Sequence, residues 1–128
     1  MNRSLVREPV RDPQDLARQL IERELTGDAD GMAALYEPDA VMALRDGRRA
    51  GGREAIRAFY AGLIERGRKF ELGEQRPAFI NGDLALTSTR LPNGDVTAEI
   101  ARRQADGTWL WVIDQPKIGS SPSGAPSG

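Results

Sequence analysis

Apolar residues follow a helical spacing in the first half of the chain and a strand-like spacing in the second half. The first helix is predicted to begin after Asp12, an N-cap residue followed by Pro13 at the first helical position, and to end at Gly27. Its apolar stripe consists of Leu16, Ala17, Leu20, Ile21 and Leu25. These positions recur every three to four residues, which is typical of a helix that packs on a core.

Two further helices are predicted before residue 68. Asp28 can cap a short helix that carries Met32, Leu35 and Tyr36 on one side and stops at Pro38. Residues 53–66 then show the clearest helical pattern of the chain and end at Gly67. The apolar residues of this third helix are Ile56, Phe59, Tyr60, Leu63 and Ile64.

The rest of the chain is predicted to form strands joined by tight turns. Short strands are expected at residues 40–44 and 48–50, and a longer one at residues 69–80, broken near Gly73 and Pro77. Three more strands are expected at residues 84–91, 95–104 and 108–115. Dipeptides of the Asn-Gly or Asp-Gly type, which favour hairpins, separate these later strands and stand at residues 81–82, 93–94 and 106–107.

This order of elements predicts an α+β fold, in which three helices cover the concave face of a curved antiparallel sheet. The domain is expected to span residues 12–117. Residues 1–11 are expected to form an N-terminal extension. Residues 118–128 contain mainly Ser, Gly and Pro and are expected to be a disordered tail.

Hairpin geometry brings two acidic residues together. If residues 106–107 are the centre of a two-residue turn, Glu99 lies directly opposite Asp114, with Cβ atoms about 5 Å apart. The same reasoning at residues 93–94 places Ser88 opposite Glu99 and Arg90 diagonal to it. If the loop at residues 106–107 instead has three residues and a bulge, the register slips by one residue and Glu99 meets Ile113.

The two-residue turns divide the side chains between two faces of the sheet. The face predicted to line a cavity carries Leu86, Ser88, Arg90, Thr97, Glu99, Ala101, Leu110, Val112 and Asp114. The opposite face carries Ile100, Arg102, Trp109, Trp111 and Ile113. We interpret this second, tryptophan-bearing face as the interface of a homodimer.

Composition narrows the possible chemistry. The chain has 128 residues, a net charge of −1, and neither Cys nor His. Disulfides, thiol nucleophiles, Ser-His-Asp catalysis and His- or Cys-based zinc sites are therefore excluded, and there is no GxGxxG, P-loop or GxSxG motif. Neither a cofactor nor a metal is expected, since the few oxygens on one sheet face are too few for Mg²⁺ or Ca²⁺.

The sequence also predicts the setting of the protein. No apolar run is long enough to span a bilayer, no signal peptide is visible, and no basic face is expected for nucleic acid. We therefore expect a cytoplasmic protein that binds neither membrane nor nucleic acid. The basic residues are nearly all Arg, which favours a bacterial source with a GC-rich genome.

Three segments together resemble the NTF2-like superfamily, and within it the SnoaL-like and ketosteroid-isomerase-like small proteins. They are TGDADGMAALYEPDAVM, GGREAIRAFYAGL and DGTWLWVIDQP. The resemblance extends over about residues 12–117. It implies a cone-shaped, commonly dimeric protein with a small-molecule pocket between sheet and helices. It does not imply one activity, because members of the superfamily include isomerases, cyclases, dehydratases, hydrolases and proteins that only bind.

The resemblance also allows a comparison of catalytic positions. Ketosteroid isomerases use a tyrosine on the first helix and an acid on the meander as an oxyanion hole, and an aspartate on the first strand as the base. Leu20 takes the tyrosine position, Leu44 takes the base position, and Glu99 takes the acid position. Because two of these three are apolar here, the steroid-isomerase mechanism is expected to be absent.

The sequence therefore supports two hypotheses. In the first, Glu99 and Asp114 are the catalytic acids and bases of an enzyme acting on a small apolar organic molecule. The predicted substrate-binding residues are Arg90, Tyr36, Tyr60, Val112, Leu110, Leu20 and Leu44. In the second, the acids are structural and the protein binds a ligand or forms a dimer without catalysis. Tyr36 and Tyr60 lie on the apolar sides of their predicted helices, so a purely structural role stays open for both.

Overall fold

The computed structural model describes residues 7–44, 47–67 and 73–118, and the side chains up to residue 116. The predicted disordered tail lies almost wholly outside these residues. So do the start of the predicted strand at residues 69–80 and part of the turn at residues 46–47. Residues 7–11, predicted to be an extension, contact the domain: Val10 is buried, and its carbonyl accepts a hydrogen bond from the backbone N–H of Trp109 at 2.8 Å.

Helices precede most of the strands, as the periodicity predicts. A 3₁₀ turn at Pro13–Asp15 leads into α1 at Leu16–Leu25, and the Asp12 carboxylate accepts a hydrogen bond from the backbone N–H of Gln14. The short α2 spans Ala29–Ala33 and is capped by the carboxylate of Asp28, which accepts from the N–H of Gly31. The third helix, α3, spans Arg53–Glu65. None of the described helices is long and apolar enough to cross a membrane.

Eight described strands form one sheet. They are β1 (Tyr36–Ala43), β2 (Arg49–Gly51), β3 (Glu74–Gln75), β4 (Phe79–Asn81), β5 (Leu84–Thr87), β6 (Thr89–Arg90), β7 (Val96–Arg103) and β8 (Trp109–Ile118). The main strand order is β2-β1-β8-β7-β5-β4, and β6 pairs with both β3 and β7. The α+β class is confirmed. The sheet is mixed, because β1 and β8 run parallel where an all-antiparallel sheet was predicted.

The first strand begins earlier than predicted. Tyr36 was assigned to the second helix, but it is the first residue of β1 and pairs with Trp111 of β8. Pro38 cannot donate a backbone hydrogen bond, and the β1–β8 register shifts between Tyr36 and Val41. The Tyr36 side chain therefore projects from β1 into the core, where it is fully buried.

The hairpin between β7 and β8 decides which side chains face inward. Its loop has three residues, 105–107, since Gln104 N–H donates to Thr108 O at 2.7 Å and Gly107 N–H donates to Gln104 O at 2.9 Å. The positive φ of 87° at Gly107 is typical of a bulged loop of this kind. Next to the loop the register is thus one residue away from the two-residue prediction, with Ala101 opposite Trp111.

A bulge at Val112 then restores the predicted register. Ala101 faces Trp111, but the neighbouring Ile100 faces Ile113, so Val112 is the extra residue of β8. Beyond the bulge Glu99 pairs with Asp114, the pairing predicted from a two-residue turn. The three-residue loop and the bulge each shift the register by one residue, and the two shifts cancel. The alternative in which Glu99 meets Ile113 is therefore wrong.

The prediction that Trp109 and Trp111 lie on an outer face is wrong, because both lie in the part of β8 where the register is shifted by one residue. Their relative exposures are 5% and 2%, so both belong to the core. The slip at the loop turns them inward, and the bulge keeps Asp114 on their side. Ala85 and Ala101, the paired residues beside Trp111, are small and leave room for its indole.

The outer face of the sheet carries a different apolar row. Phe79 pairs with Leu86, Leu86 with Ile100, and Ile100 with Ile113, so the four side chains share one face across β4, β5, β7 and β8. Phe79, Leu86 and Ile113 are exposed. Leu86 was predicted to line the cavity and is instead part of this outer row.

Candidate functional site

A cavity of about 350 Å³ lies between α1, α3 and the inner face of the sheet. Its apolar lining comes largely from the helices and from the loop after β6. Its polar lining comes largely from the strands, with Tyr60 of α3 and Asn93 of the loop after β6. The described lining residues are Ala17, Leu20, Ile21, Tyr60, Gly73, Thr89, Leu91, Pro92, Asn93, Thr97, Glu99, Trp111, Asp114 and Pro116. An apolar space of this size with a few converging polar groups is typical of a small-molecule site.

Glu99 and Asp114 lie side by side in this cavity. They are direct cross-strand partners in β7 and β8, and their relative exposures are 8% and 5%. Met42 of β1 pairs with Asp114 on the other side and is fully buried. The two carboxyl groups are therefore held in a largely apolar environment, where ionisation of both is unfavourable.

Glu99 is held by hydroxyl groups. The Thr87 hydroxyl donates a hydrogen bond to Glu99 Oε1 at 2.5 Å, and Trp111 Nε1–H donates to Thr87 Oγ at 3.2 Å. Because the Thr87 oxygen accepts from the indole, its single proton is directed to the carboxylate. Thr97, two residues before Glu99 on the same face of β7, also lowers the pKa of Glu99. The Thr87 hydrogen bond and the nearby Thr97 side chain thus favour the ionised form of Glu99.

Asp114 is held by a pair of tyrosines. The Tyr36 hydroxyl donates to Asp114 Oδ2 at 2.5 Å, and the hydroxyl oxygens of Tyr36 and Tyr60 are 2.7 Å apart. Both phenols are buried, and burial raises the pKa of each well above its ordinary value, so they remain neutral donors. A continuous chain of hydrogen bonds therefore links the cavity wall at Tyr60 to Asp114.

Burial raises the pKa values of both acids. Burial raises the pKa of Asp114 to about 7, the charge of Glu99 adds to the rise, and the Tyr36 hydrogen bond opposes it. Burial also raises the pKa of Glu99, against the hydrogen bonds from Thr87 and Thr97. Since Thr87 and Thr97 stabilise the Glu99 carboxylate and the charge of Glu99 raises the pKa of Asp114, the proton shared by the pair near neutral pH favours Asp114.

Replacing Tyr36 by phenylalanine is expected to raise the pKa of Asp114 further. The substitution keeps the ring but removes the hydroxyl that stabilises the Asp114 carboxylate. A carbon-13 NMR titration of the Asp114 side-chain carboxyl measures the change directly. The matched control is Tyr60→Phe, which removes only the hydroxyl bonded to Tyr36 and should shift the titration less. An Asp114 pKa that stays the same or falls in Tyr36→Phe would contradict this assignment.

The structure places the predicted site residues in different environments. Glu99, Asp114, Tyr60 and Leu20 line the cavity, and Tyr36 lies behind it with its hydroxyl on Asp114. The roles assigned to these residues stay predictions.

Four other predicted substrate-binding residues are not among the described lining residues. Leu110 and Val112 were predicted to face the cavity. The three-residue loop and the bulge change the register, so that the tryptophans occupy the inner face of β8 instead. Arg90 is exposed and pairs with Glu74 and Val96, because the loop at residues 92–94 also has three residues. Leu44 packs against the edge of the core.

Two functional contacts were not anticipated from the sequence. Thr87, rather than Ser88, pairs with Glu99, and the Trp111 indole directs the Thr87 hydroxyl. The pairing follows from the three-residue loop at residues 92–94, in which Gly94 has a positive φ of 94°. A preference for this loop over the two-residue turn at Asn-Gly was the only signal that could have placed Thr87 correctly.

Comparison with protein families gives one match, to the family described as SnoaL-like domain, over residues 17–119. This range includes α1 except its first residue, the three strands that carry the carboxyl pair and its tyrosine, and every described residue that lines the cavity. No curated protein matches the chain.

Solved structures share the fold at low sequence identity. An NTF2-like protein with a cystatin-like fold from Novosphingobium aromaticivorans is 21% identical, with a TM-score of 0.65 over 86% of this chain and 82% of that one. A domain of unknown function with a cystatin-like fold from Nostoc punctiforme is 21% identical, with a TM-score of 0.68 over 86% and 76%. A protein of unknown function from Mycobacterium tuberculosis is 20% identical, with a TM-score of 0.70 over 88% and 74%. These similarities show the fold alone.

Proposed function

This chain belongs to the SnoaL-like domain family, and from that premise we propose that it binds a small organic molecule in the cavity and transfers a proton to or from it. Glu99 and Asp114 are the proton carriers. The fold supports a small-molecule-binding domain, and the chemistry is inferred from the side chains at the cavity wall.

One observation carries the proposal: two buried carboxyl groups are paired across β7 and β8 at the wall of an apolar cavity. Stability alone gives no reason to bury such a pair, since an unneutralised buried charge costs several kcal/mol. A carboxyl group with a pKa near 7 is, however, an effective general acid or base at neutral pH. The chain has no His for this task.

The hydrogen bonds assign different tasks to the two acids. Glu99, stabilised as a carboxylate by Thr87 and Thr97, serves as the base that removes a proton from carbon. Asp114, which retains its proton near neutral pH, donates to an oxygen of the same substrate. For a carbonyl compound, the proton next to the carbonyl moves to Glu99, the electron pair moves to the oxygen, and Asp114 protonates that oxygen to give the enol. Both carboxyl groups return to their initial states when the enol is protonated again.

Exchange of a carbon-bound proton tests this proposal without knowledge of the natural substrate. The probe is 2-tetralone in D₂O, and proton NMR follows loss of its α-proton signals. Wild-type protein is expected to accelerate exchange over buffer, and Glu99→Gln and Asp114→Asn are expected to return it to the buffer rate. Glu54→Gln and Asp30→Asn, which alter exposed carboxylates on the helices, are the matched controls. Exchange that is undiminished in both site variants would exclude proton transfer by this pair.

A second candidate function is ligand binding or assembly without catalysis. Leu20 and Leu44 are apolar at the two positions where ketosteroid isomerases have polar catalytic groups, and Leu20 lines the cavity. An absence of exchange in wild type, together with a ligand-induced rise in melting temperature, would favour this candidate.

We also propose that the protein is a homodimer, formed through the outer apolar row rather than through the tryptophans. Phe79, Leu86 and Ile113 are 76%, 43% and 52% exposed on one sheet face, and a second copy would cover them. Leu86→Glu is therefore expected to give a monomer in sedimentation equilibrium, because it would bury an unpaired charge in the interface. Leu25→Glu, at an exposed leucine on α1, is the control that should leave the mass unchanged. A wild-type monomer at high concentration would contradict this proposal.

A further inference from the structure

We propose that the natural ligand of the cavity carries a protonated amine, which pairs with Glu99, on an otherwise apolar body. This inference rests on the proposed small-molecule site and specifies the class of ligand. It follows from the charges and hydrogen-bond donors that the cavity wall offers.

The charges that the described residues place at the wall are of one sign. Among the described residues that line the cavity, the ionisable groups are Glu99, Asp114 and Tyr60, with neither Lys nor Arg among them. Arg90, which was predicted to bind the substrate beside the acids, is exposed and lies outside this lining. An anionic ligand would therefore meet like charge in a poorly solvated space, whereas a cation would relieve the repulsion within the pair.

The hydrogen-bond donors at the wall are largely used within the protein. The Trp111 indole donates to Thr87, and the Asn93 side chain bonds at both ends to Asp95, at 3.1 Å and 2.9 Å. The Thr97 hydroxyl oxygen accepts from the Thr89 backbone N–H at 3.0 Å, and Thr97 lowers the pKa of Glu99 on the same face of β7. Beside the proton that Asp114 holds, Glu99 presents carboxylate oxygens that accept, and their complement is a ligand group that donates.

Other groups on the same wall also favour an ammonium. Trp111 lines the cavity on the same inner sheet face as Glu99, and an aromatic face attracts a cation. Tyr36, Tyr60 and Asp114 stay neutral when Asp114 holds the shared proton, so Glu99 is the one charged partner of the pair. The ammonium neutralises Glu99 and leaves Asp114 its proton. Of the remaining lining residues, Ala17, Leu20, Ile21, Leu91 and Pro92 would contact an apolar body.

Three matched probes test the inference at pH 7: 1-naphthylmethylamine, 1-naphthylmethanol and 1-naphthoate, which share a ring system and differ in charge. Isothermal titration calorimetry is expected to show the amine binding about tenfold or more tightly than the alcohol, since the ammonium adds an ion pair with Glu99 to the hydrogen bond that the alcohol can also donate. Naphthoate is expected to bind weakest. Glu99→Gln should remove the preference for the amine, because it weakens binding of the amine more than binding of the alcohol, whereas Glu54→Gln should change neither affinity.

The outcomes separate this inference from the proposed function. Binding of the alcohol or of naphthoate as tightly as the amine would overturn the amine inference and leave the small-molecule site in place. A preference for the amine that persists in Glu99→Gln would also overturn it. A failure of all three probes to bind would overturn both, and circular dichroism of each variant establishes that it is folded.

Discussion

Replacing Trp111 by alanine is expected to lower the free energy of unfolding by about 3–5 kcal/mol, the range typical of a buried large aromatic residue. The indole is 2% exposed, and its ring centroid lies 5.2 Å from that of Tyr36. Its paired neighbours on β7 and β5, Ala101 and Ala85, are too small to fill the space that its removal would leave. Urea denaturation followed by circular dichroism measures the loss.

Substitutions of Trp109 separate the two roles of Trp111, which are packing in the core and hydrogen bonding to Thr87. Trp109 is also buried, at 5% exposure, so its removal should cost a comparable free energy of unfolding. Only Trp111 donates to Thr87, which in turn donates to Glu99. The NMR titration of Glu99 should therefore change in Trp111→Phe, which retains an aromatic ring, and stay unchanged in Trp109→Phe. If Trp111→Ala lowers the free energy of unfolding no more than a substitution at an exposed position does, the indole is not part of the core.

Replacing Asp114 by asparagine is expected to remove part of the pH dependence of stability. The pKa of Asp114 is 3.8 in its ordinary state and about 7 in the fold, so the folded protein binds the proton more tightly than the unfolded chain. Between these two values stability must fall as pH rises, by about 1.4 kcal/mol per pH unit, and it levels off above pH 7. Asparagine cannot ionise and still accepts from Tyr36, so the variant should be more stable than wild type at pH 8 and comparable at pH 4.

Urea denaturation at a series of pH values measures this effect. Glu99 remains in the variant, and its pKa is also raised. The stability of the variant should therefore still fall as pH rises, but by less than that of wild type. Asp30→Asn, at an exposed carboxylate, is the control and should follow the wild-type curve. Parallel curves for wild type and Asp114→Asn would show that Asp114 is ionised at little cost in the fold, and the case for an acid near neutral pH would fail with it.

Local patterns in the sequence were sufficient for the elements and for the family. Helical spacing located α1 and α3, the caps at Asp12 and Asp28 located two helix starts, and the dipeptides containing glycine located the hairpins. The order of these elements and three short segments indicated the NTF2-like class, and the match to the SnoaL-like domain family agrees with it. These features depend on residues close in sequence, whose conformational preferences act without the rest of the fold.

The facing of individual side chains could not be predicted in the same way. One inserted residue reverses every side chain beyond it, and this hairpin contains two irregularities, a three-residue loop and the bulge at Val112. Trp111 and Asp114 are three positions apart, so a regular strand would place them on opposite faces. The pairing of Glu99 with Asp114 was predicted correctly because the two irregularities cancel, whereas the facing of Leu110 and the tryptophans was predicted wrongly because only one of them acts there.

By itself, then, the sequence determined the helices, the hairpins and the family, and it determined that acid–base chemistry here depends on carboxylates, since it contains no His or Cys. Only the tertiary structure decided that Asp114 shares its face with Trp111, that Thr87 rather than Ser88 meets Glu99, and that Arg90 stays outside. The physical reason is that helices and turns form from neighbouring residues. The register of a long hairpin is instead set by which side chains the core can bury, and here the core buries both tryptophans.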